Sequence, residues 1–220
     1  MLLNRLVRRL KAKKLQLTFK RIGMSLDDIR LVVPQDSGWA SRKSGHSQAG
    51  ALLLLCHKDI LEGKIATACM FDWFSTKIMR VVRSSYACET HGALIGIDTI
   101  EHALWLIHSL WYGMSSVTFR REGPRHESSS VSDCKSLYTH LHTDSMKADH
   151  GNKRMLIDVS ILKQDLVLNR CPLRWVNNNY QPADGLTKLS SAGARMDLLY
   201  AVIERGVYRI SFCDVSGRRE

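Results

Sequence analysis

The chain has 220 residues and a mass of 25.0 kDa, with 45% hydrophobic and 24% charged residues. That composition excludes a disordered, collagen-like or coiled-coil protein and suits one substantial core with extra segments. The longest apolar runs, such as Ala51 to Cys56, fall far short of the roughly 18–20 residues of a membrane span, so no membrane partner is expected. The net charge of +11 is unevenly placed. Residues 1–21 hold Arg5, Arg8, Arg9, Lys11, Lys13, Lys14, Lys20 and Arg21 and no acid, a block of +8 that leaves +3 for the remainder. Such a block neutralises phosphates and releases condensed counterions, so residues 1–27 read as a basic arm for nucleic acid, with Arg5, Arg8, Arg9 and Lys13 as candidate contacts. A solvated helix face and an Arg-rich presequence are the alternatives. Six cysteines are scattered without a Cys-x-x-Cys pair, and no secretory h-region follows the N-terminus. Reduced thiols in an intracellular protein, cytoplasmic or nuclear and not secreted, are the expectation.

After the arm, Asp28 to Asp36 is a β-branched run closed by Asp-Ser-Gly, a turn signature, and predicts a strand that delivers Asp36 to its C-terminal end. Ser47 to Cys56 and Lys64 to Phe74 predict two more strands, joined through His57 to Gly63 by a Glu-Gly hairpin turn. From Ser84 the period becomes helical, with Tyr86, Ala93, Ile97, Ile100, Leu104, Ile107 and Trp111 recurring at steps of three, four or seven through about residue 112. Residues 115–130 are polar and punctuated by Pro and Gly, hence a loop. A short strand up to Asp133, helices over Lys135 to His142 and Lys153 to Leu168, a brief strand from Cys171 to Val176, and helices over about 184–204 complete the order. Tyr208 to Phe212 is a candidate terminal strand. The order implies an α/β protein: a mixed five-stranded sheet, three antiparallel strands and then parallel additions, with flanking helices.

Four acids sit where these elements meet: Asp36, Glu89 in the first turn of the long helix, Asp133, and Asp184 at the start of the last helical region. Sites in open α/β sheets form at the carboxyl ends of strands. Residues 89, 93, 97 and 100 share one stripe, which turns Glu89 toward the sheet. Carboxylates brought together repel one another, and hard divalent ions with a preference for oxygen ligands relieve this. Two ions about 3.5–4 Å apart activate water and stabilise the leaving oxygen in phosphodiester hydrolysis. Taken singly, the same acids also read as turn, cap or macrodipole residues, so only the set points to chemistry.

The words around the acids are Asp36-Ser-Gly-Trp-Ala-Ser-Arg-Lys-Ser-Gly-His-Ser-Gln-Ala-Gly, Arg83-Ser-Ser-Tyr-Ala-Cys-Glu89, Ser132-Asp133-Cys-Lys-Ser-Leu, and Leu173-Arg-Trp-Val followed by Gln181-Pro-Ala-Asp184-Gly-Leu-Thr-Lys188. In order and spacing they resemble the ribonuclease H domain at the end of copia-type retrotransposon Pol polyproteins, over about residues 30–190. The basic stretch 4–21 resembles the connection after the polymerase thumb in the same polyproteins. Residues 191–220, with Leu198, Leu199, Val202 and Ile203, read as a C-terminal helical extension, and the resemblance implies an RNase H-like fold over 28–190 and cleavage of the RNA strand of RNA–DNA hybrids with two Mg²⁺ or Mn²⁺ ions. It implies that Asp36 bridges both ions, that Asp184 completes the one that activates water, and that Glu89 and Asp133 hold the second. The products would carry a 5′-phosphate and a 3′-hydroxyl. Ser37, Gly38, Ser84 and Ser85 are the implied neighbours of the 2′-hydroxyls that mark RNA. The polymerase portion of the same polyprotein is the implied partner. The competing reading is a catalytically decayed module that binds RNA or hybrid without cutting.

Pro34 stands in what should be a central strand, and Ser128 to Ser132 is poor in β-formers, so a marginal sheet is expected. No histidine lies between Trp175 and Asp184, where many cellular and retroviral relatives carry one. Leu26-Asp27-Asp28 echoes a polymerase motif without the rest of a polymerase. His140, His142 and His150 lack a fourth ligand for zinc. Asp158 and Asp165 fall on the polar side of their helix and read as solvated.

Overall fold

The computed structural model describes residues 16–23, 25–42, 44–143, 153–187 and 194–211. Six strands form one mixed sheet: β1 (Ile29–Gly38), β2 (Gln48–His57), β3 (Ala66–Lys77), β4 (Ser129–Ser132), β5 (Leu173–Trp175) and β6 (Val207–Tyr208), in the spatial order β5-β4-β1-β2-β3-β6. β1, β2 and β3 are antiparallel neighbours, and β4 and β5 add in parallel beside β1. This is the arrangement implied above, with one correction: the described residues form six strands, not five. β6 is only two residues long, pairs with Ala66 and Thr67, and is turned out of the preceding helix by Gly206 at φ +57°. The expected terminal strand therefore begins one residue early and ends at Tyr208. Phe212 lies outside the described residues.

Among the described residues six helices accompany the sheet: α1 (Ser85–Tyr112), α2 (Ser116–Glu122), α3 (Lys135–His142), α4 (Lys153–Leu168), α5 (Asp184–Thr187) and α6 (Ala194–Arg205). Strand alternation divides the core into two layers. Leu31, Val33, Ala51 and Leu53 face α1 and α4, while Val32, Leu52, Leu54 and Cys56 face Leu199 and Val202 of α6 together with Tyr208 and Ile210. Both faces of β1 and β2 are covered, which is why these strands read as continuous apolar runs rather than alternating ones.

The helix α1 lies unusually close to β1, and glycine is the reason. A Cβ on Gly92 would stand 1.9 Å from the Ser37 hydroxyl oxygen, and one on Gly96 would stand 1.9 Å from Oε1 of Gln35. Ser84 caps the N-terminus by accepting from the Ala87 amide, and Gly113 at φ 62° ends the helix.

Several boundaries depart from the sequence reading. The expected loop over 115–130 contains α2, which has no periodic apolar face. It forms because Ser115 caps it through the Thr118 amide, Phe119 is buried against His108, and Gly123 stops it. The expected tight turn between β2 and β3 is a 3-10 turn over Lys58–Glu62 that plugs the buried Ile60 into the core and closes on left-handed Gly63. β1 runs two residues past Asp36, to Gly38, rather than ending on it. The last helical region is two helices, with 188–193 outside the described residues.

Pro34 is accommodated by a lapse in the ladder. β1 pairs with β2 from Ile29–His57 to Val32–Leu54 and again from Gln35–Ala51 to Gly38–Gln48, in one register that skips Val33 and Pro34. β4 is buried throughout, yet three of its four residues are serine. The Ser130 hydroxyl is buried without a hydrogen-bond partner among the described residues. Replacing Ser130 with alanine removes that unpaired group and should stabilise the fold by about 1 kcal/mol, read from the urea midpoint at constant slope.

His108 gives the fold a sensitivity to acid. It is 2% exposed, its Nδ1 lies 2.7 Å from the Leu104 carbonyl, and its Nε2 lies 2.9 Å from the Arg125 amide nitrogen, which donates to it. The ring is thus fixed as neutral imidazole, and burial pushes its pKa below the ordinary histidine value. A folded-state pKa below that of the unfolded chain contributes stability that is complete above about pH 6.5 and is lost as pH falls through the folded value. Urea unfolding of the wild type should therefore weaken between pH 7 and pH 5 more than that of His108→Gln. His91 and His126, both also depressed by burial, supply the slope that remains in the variant.

Candidate metal centre

Register brings the first two acids together. Pro34 pairs with Val131 on the adjacent parallel strand, so two residues further on Asp36 and Asp133 stand level at the carboxyl ends of β1 and β4. The third acid comes from the opposite direction. Gly96 of α1 packs over Gln35 and Gly92 over Ser37, so the helix descends past the end of β1 and Glu89 arrives one turn later. One carboxylate oxygen from each of Asp36, Glu89 and Asp133 lies within 4.8 Å of the other two. Asp36 is 2% exposed, whereas Glu89 and Asp133 are half-buried and face solvent in part. The stripe below Glu89 is buried as its spacing implied, with Ala93, Ile97 and Ile100 all in the core.

Local bonds aim each group. The Trp175 indole N–H donates to the Asp133 carbonyl at 3.0 Å, and the Cys134 amide donates to the Ser132 hydroxyl, bending the chain out of β4. Asp184 opens α5 and is buried at 1% exposed, but it contributes no atom to the cluster of three. It is tied to that cluster through Thr187, whose hydroxyl donates to Asp36 Oδ2 and lies 3.5 Å from the Asp184 carbonyl oxygen.

Two functional neighbours were missed by sequence reasoning: Thr187 and Gln181. The Gln181 side-chain amide donates to the carbonyls of Gln35 at 2.9 Å and Val131 at 3.2 Å, and its Oε1 accepts from the Ala183 amide. Both residues stand inside the quoted Gln-Pro-Ala-Asp-Gly-Leu-Thr segment, but nothing in their local sequence names a partner.

The local potential is negative. Burial raises the Cys88 pKa to about 11, with the Glu89 and Asp36 charges adding to it. Burial likewise raises that of Cys134, beside Glu89 and Asp133. An all-carboxylate donor set in such a field suits a hard divalent cation such as Mg²⁺ or Mn²⁺. Among the described residues this is the only cluster of metal-ligating side chains of its kind. His140 is instead engaged with the Tyr86 hydroxyl at 2.6 Å, His142 with the Tyr138 carbonyl, and His150 lies outside the described residues.

A cavity of about 760 Å³ opens at the N-terminus of α1, lined by Arg80, Arg83, Ser84, His91, Lys153 and Arg154 among others. Asp158, expected to be solvated, reaches into it and pairs with Arg80 at 3.1 Å and His91 at 3.6 Å. Asp165 is half-buried, and desolvation raises its pKa, so it is not fully solvated either. Of the other expected contacts, Ser84 and Ser85 are exposed, whereas Ser37 is buried under Gly92 and Gly38 is buried beside Ser41 and Thr187. Arg5, Arg8, Arg9 and Lys13 lie outside the described residues.

Comparison with protein-family models finds no match, and comparison with curated proteins finds none. Comparison with solved structures finds LC11-RNase H1, isolated from compost by a metagenomic approach, at 9% identity and a TM-score of 0.45, over 72% of this chain and 92% of that one. It also finds the foamy viral protease-reverse transcriptase in complex with RNA/DNA hybrid, at 10% identity and a TM-score of 0.40, over 81% of this chain and 22% of that one. The native prototype foamy virus protease-reverse transcriptase has 9% identity and a TM-score of 0.33, and this chain spans 21% of its length.

The Gln181 bridge carries a prediction. Gln181→Leu fills similar space and takes the Gln181 donor from two buried carbonyls, so it should destabilise the fold by about 2 kcal/mol in chemical denaturation.

Proposed function

We propose that the chain is a divalent-metal-dependent endonuclease that hydrolyses the RNA strand of an RNA–DNA hybrid, as part of a retrotransposon reverse-transcription polyprotein. The observation that carries this reading is the convergence of Asp36, Glu89 and Asp133, whose oxygens lie within 4.8 Å of one another at the carboxyl ends of two parallel strands. The order and spacing of the sequence motifs around these acids support it as well. Asp36, Glu89 and Asp133 hold Mg²⁺ or Mn²⁺, and Asp184 joins them from α5. The bound ions supply an activated water and neutralise the leaving oxygen. Arg83 and Ser84, which line the basic cavity, and the exposed Ser85 next to them in the chain hold phosphates of the substrate. Arg5, Arg8, Arg9 and Lys13 add long-range attraction for the same polyanion, and the polymerase portion of the polyprotein delivers the hybrid.

The test is cleavage of a labelled hybrid by purified protein in Mg²⁺ or Mn²⁺. The expected result is metal-dependent cutting of the RNA strand, abolished to background in the Asp36→Asn, Asp133→Asn double variant, and hybrid affinity that falls steeply as salt rises. A folded wild type that binds hybrid and cuts nothing with either ion overturns the nuclease and leaves a binding module.

A further inference from the structure

We propose that Thr187 is a positioning residue that fixes the orientation of the Asp36 carboxylate toward Glu89 and Asp133 before any ion arrives. The inference rests on the nuclease reading. Thr187 is the last residue of α5 and is 3% exposed. Its hydroxyl donates to Asp36 Oδ2. Its methyl is held on the other side. Gly50 stands directly opposite Asp36 in the ladder, and a Cβ there would lie 3.0 Å from Thr187 Cγ2 and 2.8 Å from Leu186 Cβ. Both branches of the threonine Cβ are therefore engaged, which leaves a β-branched side chain one χ1 position.

This anchor does not depend on Asp36. Leu186, next to Thr187, offers its carbonyl to the Ser75 hydroxyl at 2.7 Å. Ser75 in turn accepts from the Gln48 side-chain amide at 2.6 Å, and Gln48 Oε1 accepts from Arg42. β2, β3 and the loop after β1 thus hold α5 against the sheet, and α5 holds the hydroxyl over Asp36. The carboxylate needs such a guide, because the terminal torsion of aspartate is broad and two-fold. A charge-assisted bond to one oxygen removes that freedom, and ligand carboxylates fixed in this way bind metal more tightly.

Serine and valine separate the two branches of threonine. Thr187→Val keeps the shape and loses the donor, while Thr187→Ser keeps the donor and loses the methyl. Three quantities are measured: Mn²⁺ binding by calorimetry, hybrid affinity in EDTA, and kcat and KM for hybrid cleavage at Mn²⁺ saturating for each variant, with urea midpoints to establish folding. Thr187→Val should weaken Mn²⁺ binding and lower kcat by about tenfold each, with KM and metal-free hybrid affinity within about twofold of wild type. Thr187→Ser should recover Mn²⁺ affinity to within about threefold of wild type. Wild-type Mn²⁺ affinity and kcat in the valine variant overturn the inference, and so does a serine variant as impaired as valine. If the valine variant does not fold, Thr187→Ala against Thr187→Ser decides the same question. A wild type that neither binds Mn²⁺ nor cuts hybrid overturns the nuclease reading and this inference together. An active wild type matched by the valine variant overturns this inference alone.

Discussion

The Gln181 side chain is the point on which the sheet and the acid cluster both depend. β1 and β4 pair as far as Pro34 and Val131, and beyond that point the strands carry Asp36 and Asp133 side by side. Two carboxylates on neighbouring parallel strands repel at close range, and two buried carbonyls at the parting point need donors. The Gln181 amide meets both carbonyls at once, at the place where β1 and β4 part. Its oxygen accepts from Ala183, which leads directly into α5 with Asp184 and Thr187. One side chain therefore bridges the ends of β1 and β4 and sets the start of the helix that reaches Asp36.

The cluster places its own demands on packing. Glu89 reaches the strand ends only because α1 lies close to β1, and that closeness requires Gly92 and Gly96. Each glycine inside a helix weakens it by about 0.5–1 kcal/mol relative to alanine. The same device recurs on the other face, where Gly50 makes room for Leu186 and Thr187. The expectation of a marginal sheet has a physical core in these features and in the unpaired hydroxyl of Ser130. Against them stand two apolar layers, in which a fully buried leucine or isoleucine contributes about 1.5–3 kcal/mol. The local weaknesses gather around the acids, while the apolar layers lie on the faces away from them.

What the sequence made legible follows from the range of each signal. The helical period of α1 and the apolar run of β2 are local patterns repeated several times over, and both elements stand where the periodicity placed them. The three converging acids were legible because each is embedded in a distinctive short word. α2 was not, since one buried phenylalanine and two caps make it without a repeat. β6 was legible only in part: Tyr208 stood in the candidate terminal strand, but its short length is set by the edge that Ala66 and Thr67 offer. Gln181 and Thr187 were hidden for a further reason. Their partners lie 146 and 151 residues away, and glutamine and threonine are common surface residues whose roles appear only when the fold closes.

The electrostatics of the site explain why acid and base are arranged side by side. Three carboxylates within 4.8 Å repel a phosphodiester, while Arg80, Arg83, Lys153 and Arg154 one helical terminus away attract it. Asp158 pairs with Arg80 and so tempers the cavity rather than closing it. A polyanion drawn into the cavity can approach the carboxylates only if positive charge stands between them. One divalent cation on Asp36, Glu89 and Asp133 offsets most of their charge, and a second reverses the sign of that spot and turns repulsion into attraction. On the nuclease reading, metal and substrate thus assist one another's binding. The buried position of Asp36 strengthens that coupling, because charges in a low-dielectric setting interact more strongly than they do in water.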